Sequence, residues 1–225
     1  MKGKFIVIEG LDGAGKSTQV ELLTQHFDKQ NIAYKFIHFP MMNQGIYGTL
    51  VAEFLRGEFG SIEQVHPKLV ALLFANDRLE HIHTIIQWLK DGYTVLADRY
   101  VNSNIAFQCA KLKKESEKQG LRDWILDFEF NTNNLPKPDH YLFLNVPFNA
   151  IVKSLSEERV GADRDYLDGN IDIHEASIDF QKSVYREYLQ MISDQDDFTA
   201  IDCSDGNGEF LNRNVIRNKI WNFVN

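Results

Sequence analysis

The chain alternates short apolar runs with longer segments in which apolar residues recur at helical spacing. The apolar runs occupy residues 4 to 9, 34 to 39, 94 to 97, 140 to 146 and 198 to 201. Runs of this length are typical of strands that are buried on both faces. Strands that alternate with helices predict a parallel sheet. We therefore expect an α/β fold with a doubly wound, five-stranded parallel sheet and flanking helices, in which ligands bind at the carboxyl ends of the strands.

Three of the intervening segments predict helices. The first covers residues 17 to 30. The second runs without interruption over residues 67 to 91, with a proline at its first turn and Gly92 at its exit. The third begins at Asp172, where Glu175 three residues later completes a pattern similar to a capping box. These segments supply the crossover helices that a parallel sheet requires.

The first apolar run leads directly into a glycine-rich sequence that can bind phosphate. Residues 10 to 18 contain the pattern G-x-x-x-x-G-K-[ST] of a P-loop. Its glycines allow the turns that bring successive N–H groups onto one phosphate at the start of the next helix. Lys16 adds a cation for the terminal phosphates, and Ser17 adds a hydroxyl for Mg²⁺. The sequence therefore predicts a P-loop NTPase with a nucleotide site formed by Gly10, Asp12, Gly13, Ala14, Gly15, Lys16, Ser17 and Thr18.

The bulk properties limit the class of protein. A chain of 225 residues with 44% hydrophobic residues suffices for one core, so we expect residues 1–225 to form a single domain. The net charge of −8 argues against a general polynucleotide binder, whose affinity depends on neutralising many phosphates. We find no secretory leader and no apolar run long enough to cross a bilayer, which predicts a cytoplasmic protein. The isolated Cys109 and Cys203 are expected to be reduced core thiols.

A second ligand site is predicted on the long central helix. Phe74 and Arg78 are four residues apart and share a helix face. A ring that stacks on a base would then lie beside a cation that holds a phosphate. A core phenylalanine next to a surface arginine is the alternative interpretation of the same spacing.

The third apolar run ends in Asp98 and Arg99, at the edge of the sheet where ligands bind. Asp98 is placed to organise Mg²⁺ through water, and Arg99 points at the same crevice. A solvated pair at the strand end is the alternative. Ser103 and Phe107 follow at helical spacing near that crevice, and Gln108 is a weaker candidate for contact with a base edge.

Other charged residues are harder to assign from the sequence. Arg159 and Arg164 lie in a polar segment, residues 154 to 170, that we expect to be a mobile loop able to close over the phosphates. Solvated arginines are the alternative. His81, His83 and His174 form no metal set with nearby carboxylates and are interpreted as surface histidines or as histidines with satisfied hydrogen bonds.

Together these residues resemble the thymidylate kinase (dTMP kinase) family of nucleoside monophosphate kinases. The similarity runs nearly end to end, through Gly10 to Thr18, Phe39-Pro40, Leu73 to Arg78, Asp98-Arg99-Tyr100 with Ser103, Ala106 to Gln108, and Asp172 to Glu175. The resemblance implies that Phe74 stacks on thymine, that Arg78 and Arg99 engage the acceptor phosphate, and that Asp12 lies near the acceptor sugar. Phe39, Ser103, Phe107 and Gln108 complete the predicted acceptor site. The resemblance also implies ATP and Mg²⁺ as cofactors, a LID over the donor phosphates at residues 158–171, and a homodimer.

Some positions depart from the family pattern. Residues 41 to 43 (Met-Met-Asn) follow Pro40 where many members carry an arginine, and Ile173 and His174 are unusual at the start of the LID helix. Gly13 stands where some members have an arginine within the P-loop. In relatives without that arginine the LID supplies the catalytic one, which points to Arg159 or Arg164.

The resulting hypothesis is ATP- and Mg²⁺-dependent phosphoryl transfer to dTMP, which gives ADP and dTDP for dTTP biosynthesis. Lys16, Arg99 and the two LID arginines would stabilise charge on the moving group, while Ser17 and Asp98 serve the metal. One alternative is a kinase for another nucleoside or nucleoside monophosphate, because Phe74 could stack on many bases. Another is a non-catalytic, nucleotide-gated protein, although the sequence contains neither an N-K-x-D nor an L-S-G-G-Q element.

Overall fold

The computed structural model describes residues 3–42, 44–156, 167–168, 172–175 and 177–224. Within these residues the sheet has the strand order β2-β3-β1-β4-β5, and every neighbouring pair is parallel. This confirms the predicted five-stranded parallel sheet. The strands are β1 (Phe5–Glu9), β2 (Tyr34–His38), β3 (Thr94–Asp98), β4 (His140–Asn145) and β5 (Phe198–Asp202).

Helices cover both faces of the sheet, as expected for parallel strands joined by crossovers. A π-helical segment (Asp127–Thr132) follows the sixth helix. In chain order the α-helices of the described residues are α1 (Lys16–Lys29), α2 (Gly45–Leu55), α3 (Pro67–Glu80), α4 (Ile82–Lys90), α5 (Val101–Cys109), α6 (Glu115–Leu126), α7 (Phe148–Ser156), α8 (Ile178–Asp194) and α9 (Arg213–Val224).

The central strand β1 explains where the site lies. All five of its residues, Phe-Ile-Val-Ile-Glu, are buried. In the register of β1 with its neighbour β3, Ile8 lies opposite Asp98. The carboxyl ends of the two strands therefore bring Glu9, Asp98 and the residues that follow them to one edge of the sheet.

The long helix predicted over residues 67 to 91 is wrong in one respect, because the chain breaks at His81 into α3 and α4. His81 has φ −106° and ψ 0°, outside the helical region. The break lets α3 pack against α2 and α5, while α4 turns back onto β3. Helical spacing continues through both helices, so the sequence pattern contains no sign of the change in direction.

The capping box predicted at Asp172 is also wrong. The helix begins later, at Ile178, and its N-cap is Ser177, whose hydroxyl accepts a hydrogen bond from the Phe180 N–H at 3.2 Å. Asp172 instead accepts from the His174 N–H at 2.7 Å. It thus stabilises a turn that precedes the helix.

A small apolar cluster beside the main core fixes this turn. The cluster joins the α2–α3 hairpin to Leu167, and Phe74 and Ile173 pack against it. The Ile173 N–H also donates to the Leu55 carbonyl at 3.0 Å. Residues 172–175 are thereby attached to the hairpin.

The structure bears on the expectations for the two cysteines and for membrane-spanning segments. Cys109 and Cys203 are free and buried, and burial raises the pKa of each thiol to about 12, so both are protonated core residues. Within the described ranges, no helix combines the length and the apolar character needed to span a bilayer.

Candidate active site

A cavity of about 580 Å³ lies at the carboxyl ends of β1 and β3. This volume is within the range of about 300–1,000 Å³ that is usual for small-ligand sites. The cavity joins the predicted phosphate loop to the predicted acceptor residues. The sequence-predicted residues that line it are Asp12, Gly13, Gly15, Lys16, Ser17, Thr18, Phe39, Phe74, Arg78, Asp98, Arg99, Ser103, Phe107 and Gln108.

The glycine-rich loop has the backbone shape that the motif predicts. Gly13 and Gly15 have φ of +79° and +80°, a region that favours glycine. Gly10 has a different role, since a Cβ there would lie 3.2 Å from the Ala14 Cβ. Gly10 and Ala14 therefore pack closely against each other within the loop, and neither is among the residues that line the cavity.

Lys16 is the first residue of α1 and is buried beneath the loop. Its Nζ donates to the Leu11 carbonyl at 3.0 Å and to the Gly10 carbonyl at 3.3 Å. Burial lowers the pKa of Lys16, which means that an anion beside the ammonium would be strongly favoured. Ser17 and Thr18 are exposed to the same cavity at the N-terminus of the helix, where the helix dipole also favours phosphate.

Arg99 connects the phosphate loop to the acceptor side. Its Nη2 lies 2.6 Å from the Asp12 Oδ1, its Nη1 donates to the Ser103 hydroxyl at 3.1 Å, and its guanidinium lies 5.2 Å from the centre of the Phe107 ring. Burial by itself lowers the pKa of Arg99, but the carboxylate of Asp12 and other nearby anionic groups outweigh it and raise the pKa. Arg99 has φ +66°, a left-handed conformation that costs a non-glycine residue about 1–3 kcal/mol. The fold thus holds a strained, permanently charged cation at the junction of the two predicted subsites.

Glu9, the last residue of β1, was not predicted as a site residue. Its buried carboxylate accepts hydrogen bonds from the Tyr100 N–H at 3.0 Å, the Ser103 hydroxyl at 2.5 Å and the Tyr188 hydroxyl at 2.9 Å. Burial raises the pKa of Glu9 in spite of these bonds. Glu9 thereby fixes the start of α5, from which Ser103 reaches Arg99. The sequence feature that could have identified Glu9 as a site residue is its charge at the end of an otherwise apolar strand.

Asp98 has an environment suited to a hard cation. Its Oδ2 lies 3.3 Å from the Nδ1 of His38, a residue that the sequence did not suggest, and its buried Oδ1 has no hydrogen-bond partner in the described part of the chain. Burial raises the pKa of Asp98, but the hydrogen bond from His38 and the charge of Lys16 outweigh it, so the net shift is downward. A carboxylate oxygen without a partner, in the same cavity as the Ser17 hydroxyl, fits the oxygen ligands that Mg²⁺ requires.

Arg78 is not the surface arginine of the alternative interpretation. It is 2% exposed and forms two contacts of 2.6 Å with Glu129, which is fully buried. Asn104 Nδ2 also donates to Glu129 at 2.9 Å. The guanidinium is thus held rigidly where it lines the cavity, and its contact with an acceptor phosphate stays a prediction.

Aromatic side chains surround the part of the cavity beyond Arg99. Phe74 and Phe107 both line it, and Gln108 is fully buried among them with neither amide atom hydrogen-bonded within the described residues. The buried His174 lies between the two phenylalanines. Its Nε2 has no partner among the described residues, so the interpretation of His174 as a surface or satisfied histidine is wrong.

His81 also differs from its interpretation. Ligand atoms of His81, Asp77 and Glu80 all lie within 4.8 Å of one another. Both carboxylates already accept backbone hydrogen bonds, Asp77 from Met41 and Glu80 from Ile46. These bonds give Asp77 and Glu80 a role in positioning the chain after Pro40.

Arg159 and Arg164 lie outside the described residues, as does most of the predicted LID over 158–171. The preceding helix α7 does reach the phosphate loop. A Cβ at Gly13 would lie 2.7 Å from the Ser154 hydroxyl. The position at which some relatives carry a P-loop arginine is therefore closed here by α7.

Comparisons with known proteins agree with this geometry. The family profile described as Thymidylate kinase matches residues 8–213. Thymidylate kinase of Plasmodium falciparum (isolate 3D7) is 37% identical over 149 residues, which cover 66% of this chain and 64% of that protein. Probable thymidylate kinase of Thermococcus gammatolerans is 31% identical over 195 residues, which cover 84% and 83%.

The matched part of the chain spans slightly less than two thirds of the first curated relatives, 64% for the Plasmodium protein and 65% for thymidylate kinase of Mycobacterium tuberculosis (strain CDC 1551 / Oshkosh). Among solved structures, thymidylate kinase from Candida albicans superposes with a TM-score of 0.72 at 26% identity, covering 99% of this chain and 91% of its own. That structure is described as revealing the origin of broad substrate specificity.

Proposed function

The chain belongs to the thymidylate kinase family, and from this premise we propose that it transfers the γ-phosphoryl group of ATP to dTMP, giving ADP and dTDP for dTTP synthesis. The observation that carries the proposal is the Arg99–Asp12 pair, which links the phosphate loop to the aromatic acceptor pocket within one cavity. A phosphate donor and a nucleotide acceptor bound there would meet at Arg99.

The reaction needs alignment and charge stabilisation more than acid–base chemistry. An oxygen of the acceptor phosphate attacks the γ-phosphorus, and the bond from that phosphorus to the bridging oxygen of ADP breaks. The acceptor oxygen is already anionic, so we assign no general base. Lys16 would leave the carbonyls of Leu11 and Gly10 for the donor phosphates, and Arg99 would neutralise charge between donor and acceptor.

Mg²⁺, when bound, neutralises and orients the donor phosphates. Ser17 and Asp98 are the residues that would hold it, directly or through water. The net downward shift of the Asp98 pKa keeps this carboxylate ionised at neutral pH. His38, hydrogen-bonded to one oxygen of Asp98, would orient the carboxylate so that its other oxygen serves the metal.

The acceptor would occupy the aromatic part of the cavity. Phe74 would stack on the base, and Gln108 would hydrogen-bond its edge with amide atoms that have no partner within the described residues. Asp12 would lie near the sugar, as the resemblance implies. Arg78, held by Glu129, and Arg99 would bind the acceptor phosphate. Phe39, which is buried against the Tyr100 ring, would line the acceptor part of the cavity.

Arg159 and Arg164 are proposed as LID arginines that meet the transferring phosphoryl group on closure. The closed position at Gly13 supports this assignment, since α7 leaves little room for an arginine supplied by the loop. A homodimer and a cytoplasmic location remain proposals that rest on the family resemblance.

A kinase of wider acceptor range is the second candidate. It is favoured by the Phe74 stacking surface, since every base has a π-face, and by the structural likeness to the Candida albicans enzyme, whose specificity is described as broad. An ADP-release assay with dTMP, dUMP, dCMP, dGMP and no acceptor separates the candidates. Turnover that depends strictly on dTMP supports the main proposal. Equal turnover with all acceptors supports the second candidate, and ADP release without any acceptor contradicts both.

A further inference from the structure

Three buried oxygen atoms form a triangle beside Arg99. The Ser103 hydroxyl lies 2.5 Å from Glu9 Oε2, and the Tyr188 hydroxyl lies 2.9 Å from the same Oε2 and 2.8 Å from the Ser103 hydroxyl. Arg99 contacts the triangle through Nη1, which donates to the Ser103 hydroxyl at 3.1 Å. The three oxygens come from β1, α5 and α8. One end of the Arg99 guanidinium is therefore held by a hydroxyl group whose surroundings come from distant parts of the chain.

The donor and acceptor roles in the triangle follow from Arg99. A guanidinium can only donate, so the Ser103 oxygen accepts from it and the Ser103 proton is directed at Glu9. Burial raises the pKa of Tyr188 well above its usual value, and the charge of Glu9 acts in the same direction. The Tyr188 hydroxyl thus keeps its proton and donates it to Glu9 Oε2. Neither hydroxyl proton opposes the guanidinium.

The Glu9 carboxylate uses both hydroxyl groups. Its Oε1 accepts from the Tyr100 N–H at 3.0 Å and from the Ser103 N–H at 3.2 Å, and its Oε2 accepts from the two hydroxyl groups. An ionised carboxylate offers about four acceptor positions, so these four donors complete the set. Without the Tyr188 hydroxyl, one position would be unfilled in the interior and Ser103 would lose one of the polar contacts that hold its side chain.

The second partner of Arg99 is also held from α8. Gln181 Nε2 donates to Asp12 Oδ2 at 2.9 Å, and Asp12 Oδ1 lies 2.6 Å from Arg99 Nη2. Gln181 and Tyr188 are two helical turns apart on α8 and project from the same face. One helix therefore contacts both of the side chains that hold the guanidinium.

We propose that Tyr188 is a positioning residue for Arg99, and that its hydroxyl, acting through Ser103, fixes the guanidinium in the orientation needed for phosphoryl transfer. The role rests on the function proposed above, in which Arg99 stabilises charge between donor and acceptor. A serine side chain can occupy three rotamers, and the Tyr188 contact helps to select the one that faces Arg99. Small errors in the placement of such a group are costly in rate.

Steady-state kinetics of Tyr188→Phe test the role. Phenylalanine keeps the ring, which stacks on Phe143 at 4.7 Å between centroids, and removes only the hydroxyl. We expect kcat for dTMP-dependent ADP release to fall at least about fivefold, while the KM for ATP stays within about twofold of wild type. Tyr185→Phe is the matched control, because it removes a hydroxyl of the same helix that donates to Asn145 Oδ1 at 2.7 Å. It should keep kcat within about twofold of wild type.

A double-mutant cycle shows whether the effect passes through Ser103. Ser103→Ala removes the hydroxyl that links Tyr188 to Arg99, so adding Tyr188→Phe to it should change kcat by less than about twofold. A further loss equal to that in the wild-type background would overturn the proposal, because Tyr188 would then act by another route. Equal losses of kcat in Tyr185→Phe and Tyr188→Phe, or wild-type kcat in Tyr188→Phe, would also overturn it.

The same assay separates this proposal from the proposed function. If the wild-type protein turns over dTMP and any of the contrary results is obtained, Tyr188 alone is misassigned. If the wild-type protein does not turn over dTMP, the proposed function itself fails.

Discussion

Arg78 of α3 and Glu129 of the π-helical segment form a buried ion pair with two contacts of 2.6 Å, although 51 residues separate them in the chain. The charge of Glu129 raises the pKa of Arg78 against the opposing effect of burial. Neither group can be removed alone without leaving its partner charged in the interior. The pair therefore controls both the stability of the fold and the position of a cavity-lining cation.

We expect Glu129→Gln to lower the free energy of unfolding by about 3–5 kcal/mol, the usual cost of breaking one side of a buried pair. Urea denaturation measures the effect. The double variant Arg78→Met/Glu129→Leu should recover much of the stability, because it buries no charge. If Glu129→Gln is as stable as wild type, the ion pair positions the Arg78 guanidinium but does not stabilise the fold.

Lys16→Ala should reduce dTMP-dependent turnover by about 100-fold or more, since the main cation for the donor phosphates is lost. The fold should persist, because in the described structure the Lys16 ammonium donates hydrogen bonds only to loop carbonyls. Thermal unfolding checks this point. Lys29→Ala, at the exposed end of the same helix, is the control and should turn over normally. Near wild-type activity in Lys16→Ala would exclude a catalytic role for the loop.

Phe74→Ala should weaken dTMP binding by about 1–3 kcal/mol through lost stacking on the base. ATP binding should be little changed, because Phe74 lines the part of the cavity that we propose for the acceptor. Calorimetry with each nucleotide measures both. Leu69→Ala, an exposed change on the same helix, provides the comparison. Equal losses for the two nucleotides would indicate a damaged core instead of a lost acceptor contact.

Asp77 should make the free energy of unfolding fall as the pH rises, whereas a typical carboxylate makes it rise. Burial raises its pKa from 3.8 to about 6, so the folded state retains the proton more strongly than the unfolded state does. Stability contributed by this group is present at low pH and is lost as the pH rises from about 4 to about 6. Asp77→Asn keeps an oxygen for the Met41 N–H and removes the charge.

We therefore expect Asp77→Asn to raise the free energy of unfolding at pH 7 by up to ~3 kcal/mol, with the gain shrinking towards pH 4. Denaturation at several pH values tests this. Asp28→Asn, an exposed change, should alter stability by no more than about 0.5 kcal/mol at any pH. A variant less stable than wild type at pH 7 would mean that the ionised carboxylate is needed by Met41.

Arg159 and Arg164, the proposed LID arginines, should affect kcat more than KM, because a cation that arrives on closure stabilises the transition state more than the ground state. Steady-state kinetics of Arg159→Ala, Arg164→Ala and the double variant separate their contributions, and we favour Arg164 for the larger one. A double variant with kcat within about threefold of wild type, less than ~0.7 kcal/mol, would remove both from the mechanism.

The sequence was most informative where the chemistry is continuous along the chain. The P-loop could be predicted because its glycines, Lys16 and Ser17 all lie within residues 10–17, and their spacing in this short segment favours the backbone shape of the loop. The partners of Arg78 and Ser103 could not, because Glu129 and Glu9 come from distant elements that only the packed fold brings together. The break at His81 could not be predicted, because the chain turns there through tertiary packing and the hydrophobic periodicity does not change.

The two apolar clusters have a consequence for how this protein could diversify. The phosphate loop and the sheet are packed into the main core. Phe74, Ile173 and several apolar residues of the α2–α3 hairpin instead belong to a smaller cluster, although Ala71 of α3 packs into the main core. Substitutions in the smaller cluster could reshape the proposed acceptor pocket without disturbing β1 and β3, the strands that precede Lys16 and Arg99. For the function proposed above, the choice of acceptor could therefore change during evolution while the residues proposed to bind the donor stay constant.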